Sequence, residues 1–278
     1  MENKVTLYYP DKAVALGFTV SWKEMVLNLL KSRELIWRFF IREFQVKYRQ
    51  SFLGISWAII MPLLTVGFLV LLRKSRVFNM PDSGMPYFVF ALIGISVFGL
   101  FSSGLTGCAN SLVSSGQMVS KINFPKISLV VAAFGQAVVD LLVRFGFLLI
   151  VLIIFGIFPS WKIIFLPLII LPLGILTLGL GLVFSILTGI FRDVSNVLSI
   201  GTLFLLFLSP VLYPVPLDSW MSVWNPLSHF IVSSRELIIN GHISNLNGLL
   251  FSSLLSFGVF LVAWRIFYLM ESKVAEKL

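Results

Sequence analysis

Charged residues are scarce in this chain, and their scarcity excludes soluble classes of protein before any motif is considered. Only 12% of the 278 residues are charged, whereas 58% are hydrophobic and the mean hydropathy is +0.98. So little polar surface cannot cover a soluble globule of this length. The composition therefore predicts an all-α integral membrane protein.

The residues that carry most catalytic and metal chemistry are also few. Cys108 is the only cysteine and cannot form an intramolecular disulfide, and no Cys/His cluster has metal-site spacing. His229 and His242 have no carboxylate or cysteine partner at chelating or triad spacing. The phosphate loop G-x-x-x-x-G-K-[ST] is absent from the sequence. We therefore expect no catalytic residue, metal or cofactor here, and an ATP-driven process would need a separate ATPase subunit.

The basic residues are concentrated near the first long apolar stretch. The formal net charge is +9, and nine of the 21 Lys and Arg residues lie in the first 50 positions. This placement is the positive-inside signal of a membrane protein and argues against nucleic acid as a partner. The first 20 residues have no apolar core of the signal-peptide kind, so we expect the first hydrophobic helix to direct insertion.

Six apolar stretches approach the roughly 20 residues that a crossing needs. They lie near 53–73, 86–108, 127–157, 163–188, 196–212 and 248–270. Fifteen Lys and Arg residues fall on the side of the N-terminus and five on the other, which predicts that both termini are cytoplasmic. The predicted organisation is an N-terminal segment (1–30), an interface helix (31–51), a six-helix domain (52–270) and a cytoplasmic tail (271–278).

The segment before the first crossing has the pattern of an amphipathic helix. At 100° per residue Arg38, Arg42 and Arg49 share one stripe, and Trp37 lies among aromatic residues on the far side. Such a helix lies in the membrane interface and contacts lipid. Its basic stripe either attracts an anionic lipid carrier or only anchors the protein.

The stretch 209–247 is the least regular part of the membrane region. Three prolines in 210–216 must end the fifth crossing, because proline cannot continue a helix. The residues that follow are too polar to span and too aromatic for a plain loop. They predict short interfacial or re-entrant helices that form an outer gate, with an aromatic belt as the alternative.

Two further patterns lie inside the crossings. Small residues recur every four positions in the second crossing (Gly99, Ser103, Gly107, Ser111, Ser115) and the fourth (Thr177, Gly181, Ser185, Gly189), which favours close helix packing. Asp140 and Arg144 are the only charges deep in a crossing. Their i,i+4 spacing predicts an intramembrane pair with a structural role, and ion coupling is the alternative.

Five segments in order resemble one family of membrane proteins. The run from Phe44 to Pro62, FQVKYRQSFLGISWAIIMP, resembles the start of the membrane subunits of type-2 ABC exporters for O-antigen, capsule and teichoic acid. KINFPK at 121–126, FRD at 191–193, SPVLYP at 209–214 and NPL at 225–227 resemble later signatures of that family. The basic cluster near Arg73 and the charge of Arg144 depart from it.

The resemblance implies a permease subunit of an ATP-driven exporter in the bacterial cytoplasmic membrane. Its implied partners are a second copy of the chain, two copies of an ABC ATPase that binds ATP and Mg²⁺, and a polyprenyl-diphosphate-linked polysaccharide, most simply O-antigen. Teichoic acid, capsule, drugs and small lipids are the alternative cargoes. A non-transport membrane scaffold is a third class, but it would leave the 121–126 segment and the broken outer helices unexplained.

The resemblance also assigns candidate roles to individual residues. The coupling segment 113–126 would contact the ATPase through Lys121, Asn123, Phe124, Pro125 and Lys126. The carrier lipid would meet Trp37 and the three arginines of the amphipathic stripe. Aromatic rings could stack on sugar faces along the conduit and gate; the candidates are Phe204, Phe207, Tyr213, Trp220 and Trp224.

Overall fold

The computed structural model describes residues 18–49, 51–75, 84–215 and 219–277, and every regular element in these ranges is helical. The helices are α1 Phe18–Lys31, α2 Arg33–Arg49, α3 Trp57–Lys74, α4 Tyr87–Ser114, α5 Gly116–Lys121, α6 Ile127–Ile154, α7 Leu166–Ile190, α8 Val194–Leu208, α9 Trp220–Trp224, α10 Pro226–Ile239 and α11 Leu246–Lys277. Short 3₁₀ helices, Gly54–Ser56 and Trp161–Phe165, lead into α3 and α7. The predicted all-helical fold is confirmed for this part of the chain.

Five of the described helices are long and apolar enough to cross a membrane. With their 3₁₀ turns they cover Gly54–Lys74, Tyr87–Ser114, Ile127–Ile154, Trp161–Ile190 and Leu246–Glu271. These ranges coincide within a few residues with the first four predicted crossings and the last, except that Tyr87–Ser114 runs six residues further. The remaining crossing corresponds to α8, whose 15 residues are fewer than the roughly 20 that span a bilayer. The count of six crossings therefore stays a prediction.

The end of α8 follows from its sequence. Ser209 has extended backbone angles (φ −109°, ψ 151°), as expected of a residue that precedes a proline. Pro210 has no N–H and cannot donate a helical hydrogen bond. The chain therefore leaves the helix at this point and returns through α9 and α10. Residues 216–218 of the predicted outer gate lie outside the described residues.

Helix α4 forms the centre of the bundle. It packs against α3, α6, α7, α8 and α10, and most of its side chains are buried. Glycines allow α4 and α7 to approach closely. A Cβ on Gly104 would lie 2.8 Å from Thr177, and a Cβ on Gly181 would lie 2.5 Å from Cys108, so a larger residue would not fit at either position. Close packing at the small residues was expected, although Gly104 was not among those singled out.

The bundle has two distinct ends, which we call basal and apical. At the basal end α1, α2 and α5 gather around the ends of the long helices: Trp22 contacts Trp264 edge to face, and Lys126 N–H donates to Glu271 at 2.5 Å. At the apical end α10 packs across the bundle, where Ser160 N–H donates to the carbonyl of Ile238 at 3.2 Å. Side chains with different chemistry collect at each end.

Candidate functional site

Helix α2 lies against the bundle, and one of its faces packs along α6. Phe39 contacts Phe124 with ring centroids 5.5 Å apart, and Phe40 lies against Gly135. The carbonyl of Phe40 accepts a hydrogen bond from Gln136 Nε2 at 3.1 Å. The segment expected to lie in the membrane interface is therefore also part of the protein core.

Asp140 is held by two side chains from α2. Lys47 Nζ lies 2.7 Å from Asp140 Oδ2, and the Tyr48 hydroxyl donates to Oδ1. The carboxylate is almost fully buried, with 6% of the side chain exposed, whereas Lys47 is 45% exposed. Burial and this hydrogen bond both raise the pKa of Tyr48, so its hydroxyl remains a donor. The three groups link α2 to the middle of α6.

Asp140 makes its close ion pair with Lys47 and not with Arg144, although the charges of Asp140 and Arg144 are near enough to interact. Arg144 instead lies against Gly99 on α4, and its Nε donates to the carbonyl of Ala58 at 3.4 Å. In a regular helix that carbonyl would accept from residue 62, but residue 62 is proline and has no N–H. Arg144 therefore satisfies a backbone group that Pro62 leaves open. Spacing along one helix showed a possible partner for Asp140, but the fold supplies a partner from another helix.

The arginines of the predicted basic stripe have different surroundings. Arg38 is exposed and pairs with Glu34 at 2.7 Å on its own helix. Arg42 donates to Ser115 at 3.0 Å and to Glu43, and its guanidinium lies 5.3 Å from the centre of the Phe39 ring. Arg49 is exposed at the end of α2. The stripe therefore combines a locally neutralised cation, one bound to the protein, and one directed to the surroundings.

Trp37 lies on the surface of α2, 60% exposed, and stacks on Phe40 with ring centroids 5.4 Å apart. Because Phe40 itself packs against α6, this ring pair connects the exposed face of α2 with the core. The position suits contact with lipid, which tryptophan favours at membrane interfaces.

The predicted coupling segment forms a turn at the basal end. It contains α5 and the 121–126 residues, of which Lys121, Ile122 and Asn123 are exposed. The second half is fixed: Phe124 and Pro125 are half-buried, Phe124 packs on Phe39, and Lys126 is buried. The turn thus presents three side chains on a support formed by α2, α6 and α11.

A buried cation supports the apical segment. Arg235 on α10 is 6% exposed, and its Nη2 donates to the carbonyls of Pro210 at 3.0 Å, Phe90 at 3.3 Å and Val211 at 3.4 Å. Its guanidinium also lies 3.5 Å from the centre of the Phe90 ring. Asn225 adds a bond from Nδ2 to Ser209 Oγ at 2.8 Å. In the sequence, Arg235 was only one of the five basic residues counted on the side away from the N-terminus, because nothing local indicates these contacts.

The five candidate conduit aromatics do not surround a common space within the described chain. Phe204 and Phe207 are exposed on the apolar outer face of α8, and Trp220 and Trp224 are exposed on α9. Tyr213 is half-buried and its hydroxyl donates to the carbonyl of Phe207. Tyr213 therefore has a local structural contact, whereas the other four rings face away from this subunit.

The structure contains a recess, lined by both polar and apolar side chains, that sequence reasoning did not identify. It has a volume of about 330 Å³ and lies between α2, α4 and α6. Its walls include Ser103, Gly107 and Asn110 from α4, Gln136 and Asp140 from α6, and Lys47 from α2. Ser103 and Gly107 had been assigned to helix packing. The sequence signal that could have indicated the recess is that this stripe of α4 carries hydroxyl and amide groups.

These features define a multi-pass helical membrane protein with a supported turn at one end and a broken-helix cap at the other. The sequence profile of the ABC-2 type transporter family matches residues 34–239, which contain most of these elements. The chain therefore belongs to the ABC-2 type transporter family, and the type of transporter predicted from the sequence motifs is confirmed.

Relatives of known role include permease proteins of polysaccharide export. The chain is 28% identical over 207 residues to the O-antigen export system permease protein RfbA of Klebsiella pneumoniae. This alignment covers 72% of this chain and 78% of the relative. It is 24% identical over 265 residues to RfbA of Myxococcus xanthus, covering 91% and 99%. It is 29% identical over 241 residues to the polysialic acid transport protein KpsM of Escherichia coli, covering 81% and 90%.

Proposed function

We propose that this chain is the permease subunit of an ATP-driven exporter that moves a lipid-linked polysaccharide, of the O-antigen type, across the bacterial cytoplasmic membrane. Two copies would form the membrane domain, and each would bind one ABC ATPase subunit that carries ATP and Mg²⁺. The relatives named for O-antigen and polysialic acid transport support this cargo class. The chain itself supplies the path and the coupling surface, with no cofactor of its own.

The observation that carries the proposal is the supported turn at the basal end. Lys121 to Asn123 are exposed, while the next three residues are fixed against α2 and α11. A turn that is open on one side and rigid on the other can transmit a push from a bound ATPase to both helices at once. The basal end would therefore face the cytoplasm, in agreement with the positive-inside distribution.

The basal arginines are proposed to attract the carrier. A polyprenyl diphosphate is anionic, and each Lys or Arg near an anionic lipid surface contributes about 1 kcal/mol of attraction. Arg49 is exposed at the end of α2, whereas Arg38 is paired with Glu34. Arg49 and the face around Trp37 therefore provide the docking surface for the carrier.

The apical segment is proposed to be the outer gate. Arg235 fixes the broken end of α8, and the exposed rings of Trp220 and Trp224 lie on the short helix that follows. Aromatic rings stack on pyranose faces without requiring one sugar sequence. A second copy of the chain would bring another set of these rings to the exit.

A cysteine experiment tests both the membrane topology and the contact with the ATPase. Lys121→Cys is combined with cysteines on the partner ATPase, and Phe158→Cys, which is exposed at the apical end, serves as the matched control. We expect position 121 to crosslink to the ATPase and to react with a membrane-impermeant thiol reagent only after the cells are opened. Position 158 should react from outside and should not crosslink.

Deletion of the gene should abolish the surface polysaccharide while the glycan accumulates inside the cell. Reaction of position 121 in intact cells would overturn the proposed orientation. Normal surface polysaccharide in the deletion strain, together with a changed drug or lipid efflux, would overturn the proposed cargo.

A further inference from the structure

The recess between α2, α4 and α6 has a wall chemistry that selects one kind of ligand. Ser103 donates its hydroxyl proton back to the carbonyl of Gly99, and Ser111 and Ser114 do the same to Cys108 and Ser111. Asn110 Nδ2 donates to the carbonyl of Thr106. The three serine hydroxyls have used their only donor on their own helix, so they offer oxygen acceptors to the recess, and Asn110 adds its amide oxygen and one remaining N–H.

Gln136 completes the acceptor wall on α6. Its Nε2 donates to the carbonyl of Phe40 at 3.1 Å, but its Oε1 is buried and has no hydrogen-bond partner among the described residues. The side chain is 9% exposed and lines the recess. A buried acceptor without a donor destabilises the protein, so a ligand that donates a hydrogen bond to Gln136 Oε1 would be favoured here.

The cations at the recess are already committed. Lys47 Nζ lies 2.7 Å from Asp140, and this pair leaves no free positive charge on the wall. A diphosphate is strongly anionic and would meet the carboxylates of Glu43 and Asp140 here without an uncommitted cation. A sugar offers several hydroxyl donors and also an apolar C–H face, which fits the small apolar surface of Ala133 and Ala137.

We propose that this recess binds a sugar unit of the transported glycan by accepting hydrogen bonds from its hydroxyl groups. The inference rests on the proposed function and adds a specific contact to it. The volume, about 330 Å³, lies at the low end of small-molecule sites and suits one sugar unit rather than a coiled polymer. From Ser114 to Ser103 the wall extends about 16 Å along α4, so the unit would lie between the basal surface and the middle of the bundle.

Two substitutions test the wall directly. Gly107→Leu places a side chain in the recess; a Cβ at this position meets only the carbonyl of Ala133, at 3.8 Å. Asn110→Leu removes an acceptor at a half-buried position. At equal abundance we expect each to lower surface glycan about tenfold, the loss that follows when a buried hydrogen bond of the ligand is not made. Gly146→Leu is the matched control, because its Cβ meets nothing within 4 Å; it should export normally.

Photo-crosslinking identifies the occupant. A photoreactive residue at position 110, in the permease assembled with its ATPase, should yield a periodate-sensitive glycan adduct in cells that make the glycan. The adduct should vanish in cells that lack the glycosyltransferases but retain the carrier lipid. An adduct that persists in those cells shows a lipid occupant and overturns the inference.

Failure of the inference and failure of the proposed function give different results. Normal export by both recess variants, without a glycan adduct at position 110, overturns the recess alone. Normal surface glycan in a strain that lacks the whole gene overturns the proposed function and the recess with it.

Discussion

Two regions of the bundle neutralise a buried charge in different ways. At the middle of α6, Asp140 is held by the Lys47 and Tyr48 side chains, both from the basal helix α2. At the apical end Arg235 is held by main-chain carbonyls of α4 and of the turn after α8. Side-chain partners can separate while each helix stays intact, whereas main-chain carbonyls move only with their helices. The basal contact is therefore detachable, and the apical contact is a fixed support.

The exposed fractions of the two cations, Lys47 and Arg235, support the same distinction. Lys47 is 45% exposed, so its ammonium can turn towards water when the pair opens, while Asp140 remains buried. Arg235 is 6% exposed and has no comparable route to water. An export cycle needs at least one element that moves and one that resists leakage. We therefore expect the contact between Lys47 and Asp140 to open more easily than the contacts of Arg235 in the α8 to α10 turn.

Loss of the apical support should have the largest effect. Arg235→Met would leave carbonyls of Pro210 and Val211 without their donor at the broken end of α8. Hydrogen bonds to charged groups are individually strong, and we expect a loss of roughly 3–5 kcal/mol in stability. Membrane abundance and the thermal midpoint of a fluorescent fusion measure it. Arg192→Met, at an exposed position, is the control and should change neither. Wild-type stability of the Arg235 variant would show that the apical end is not a fixed support.

The basal pair should show an asymmetry. Lys47→Met leaves the carboxylate of Asp140 buried with only Tyr48 as a donor, at a cost of roughly 2–3 kcal/mol. Asp140→Leu leaves Lys47 free to reach water and should cost about 1 kcal/mol. The double variant should be more stable than Lys47→Met alone. A double-mutant cycle on thermal midpoints measures this order. If Lys47→Met and Asp140→Leu lose the same amount of stability, Lys47 does not leave the pair more easily than Asp140 does.

The exposed apical rings should matter for export and little for stability. Trp220→Ala and Trp224→Ala remove surface rings, so the abundance of the complex with the ATPase should stay the same. Loss of ring stacking on sugars, about 1 kcal/mol per contact, should lower export about fivefold. Quantitative immunodetection of surface glycan measures the change. If both variants export at the normal rate, these rings form an aromatic belt and the exit lies elsewhere.

The smallest effects should separate the basal arginines. Arg49→Gln removes an exposed cation and should slow export severalfold, in line with about 1 kcal/mol of attraction to an anionic carrier. Arg38→Gln removes a cation already paired with Glu34 and should have about half that effect or less. Export rates at equal abundance, measured at low and high ionic strength, compare the two. If the two variants lose the same amount, α2 acts as a uniform anchor rather than a docking surface.

Much of the fold could be predicted because its signal is local. Apolar runs from 53–73 and 127–157 have spanning length, and they appear in the structure as Gly54–Lys74 and Ile127–Ile154. The break at Ser209 was equally readable, since proline acts on the residue before it and on its own missing N–H. The segment 121–126 was identified differently, from its position between two predicted crossings and its resemblance to a family signature.

The partners of buried polar groups could not be predicted in this way. Asp140 has Arg144 four residues away, but its partner Lys47 is 93 residues away and comes from a helix expected only at the membrane surface. Pro62 leaves the carbonyl of Ala58 without its helical donor, and Arg144 can donate to this carbonyl only because α3 lies beside α6. The acceptor wall of the recess requires α2, α4 and α6 together. Sequence determined the lengths and breaks of the helices through local hydropathy and backbone chemistry; tertiary structure decided which polar groups meet, because that depends on which helices become neighbours.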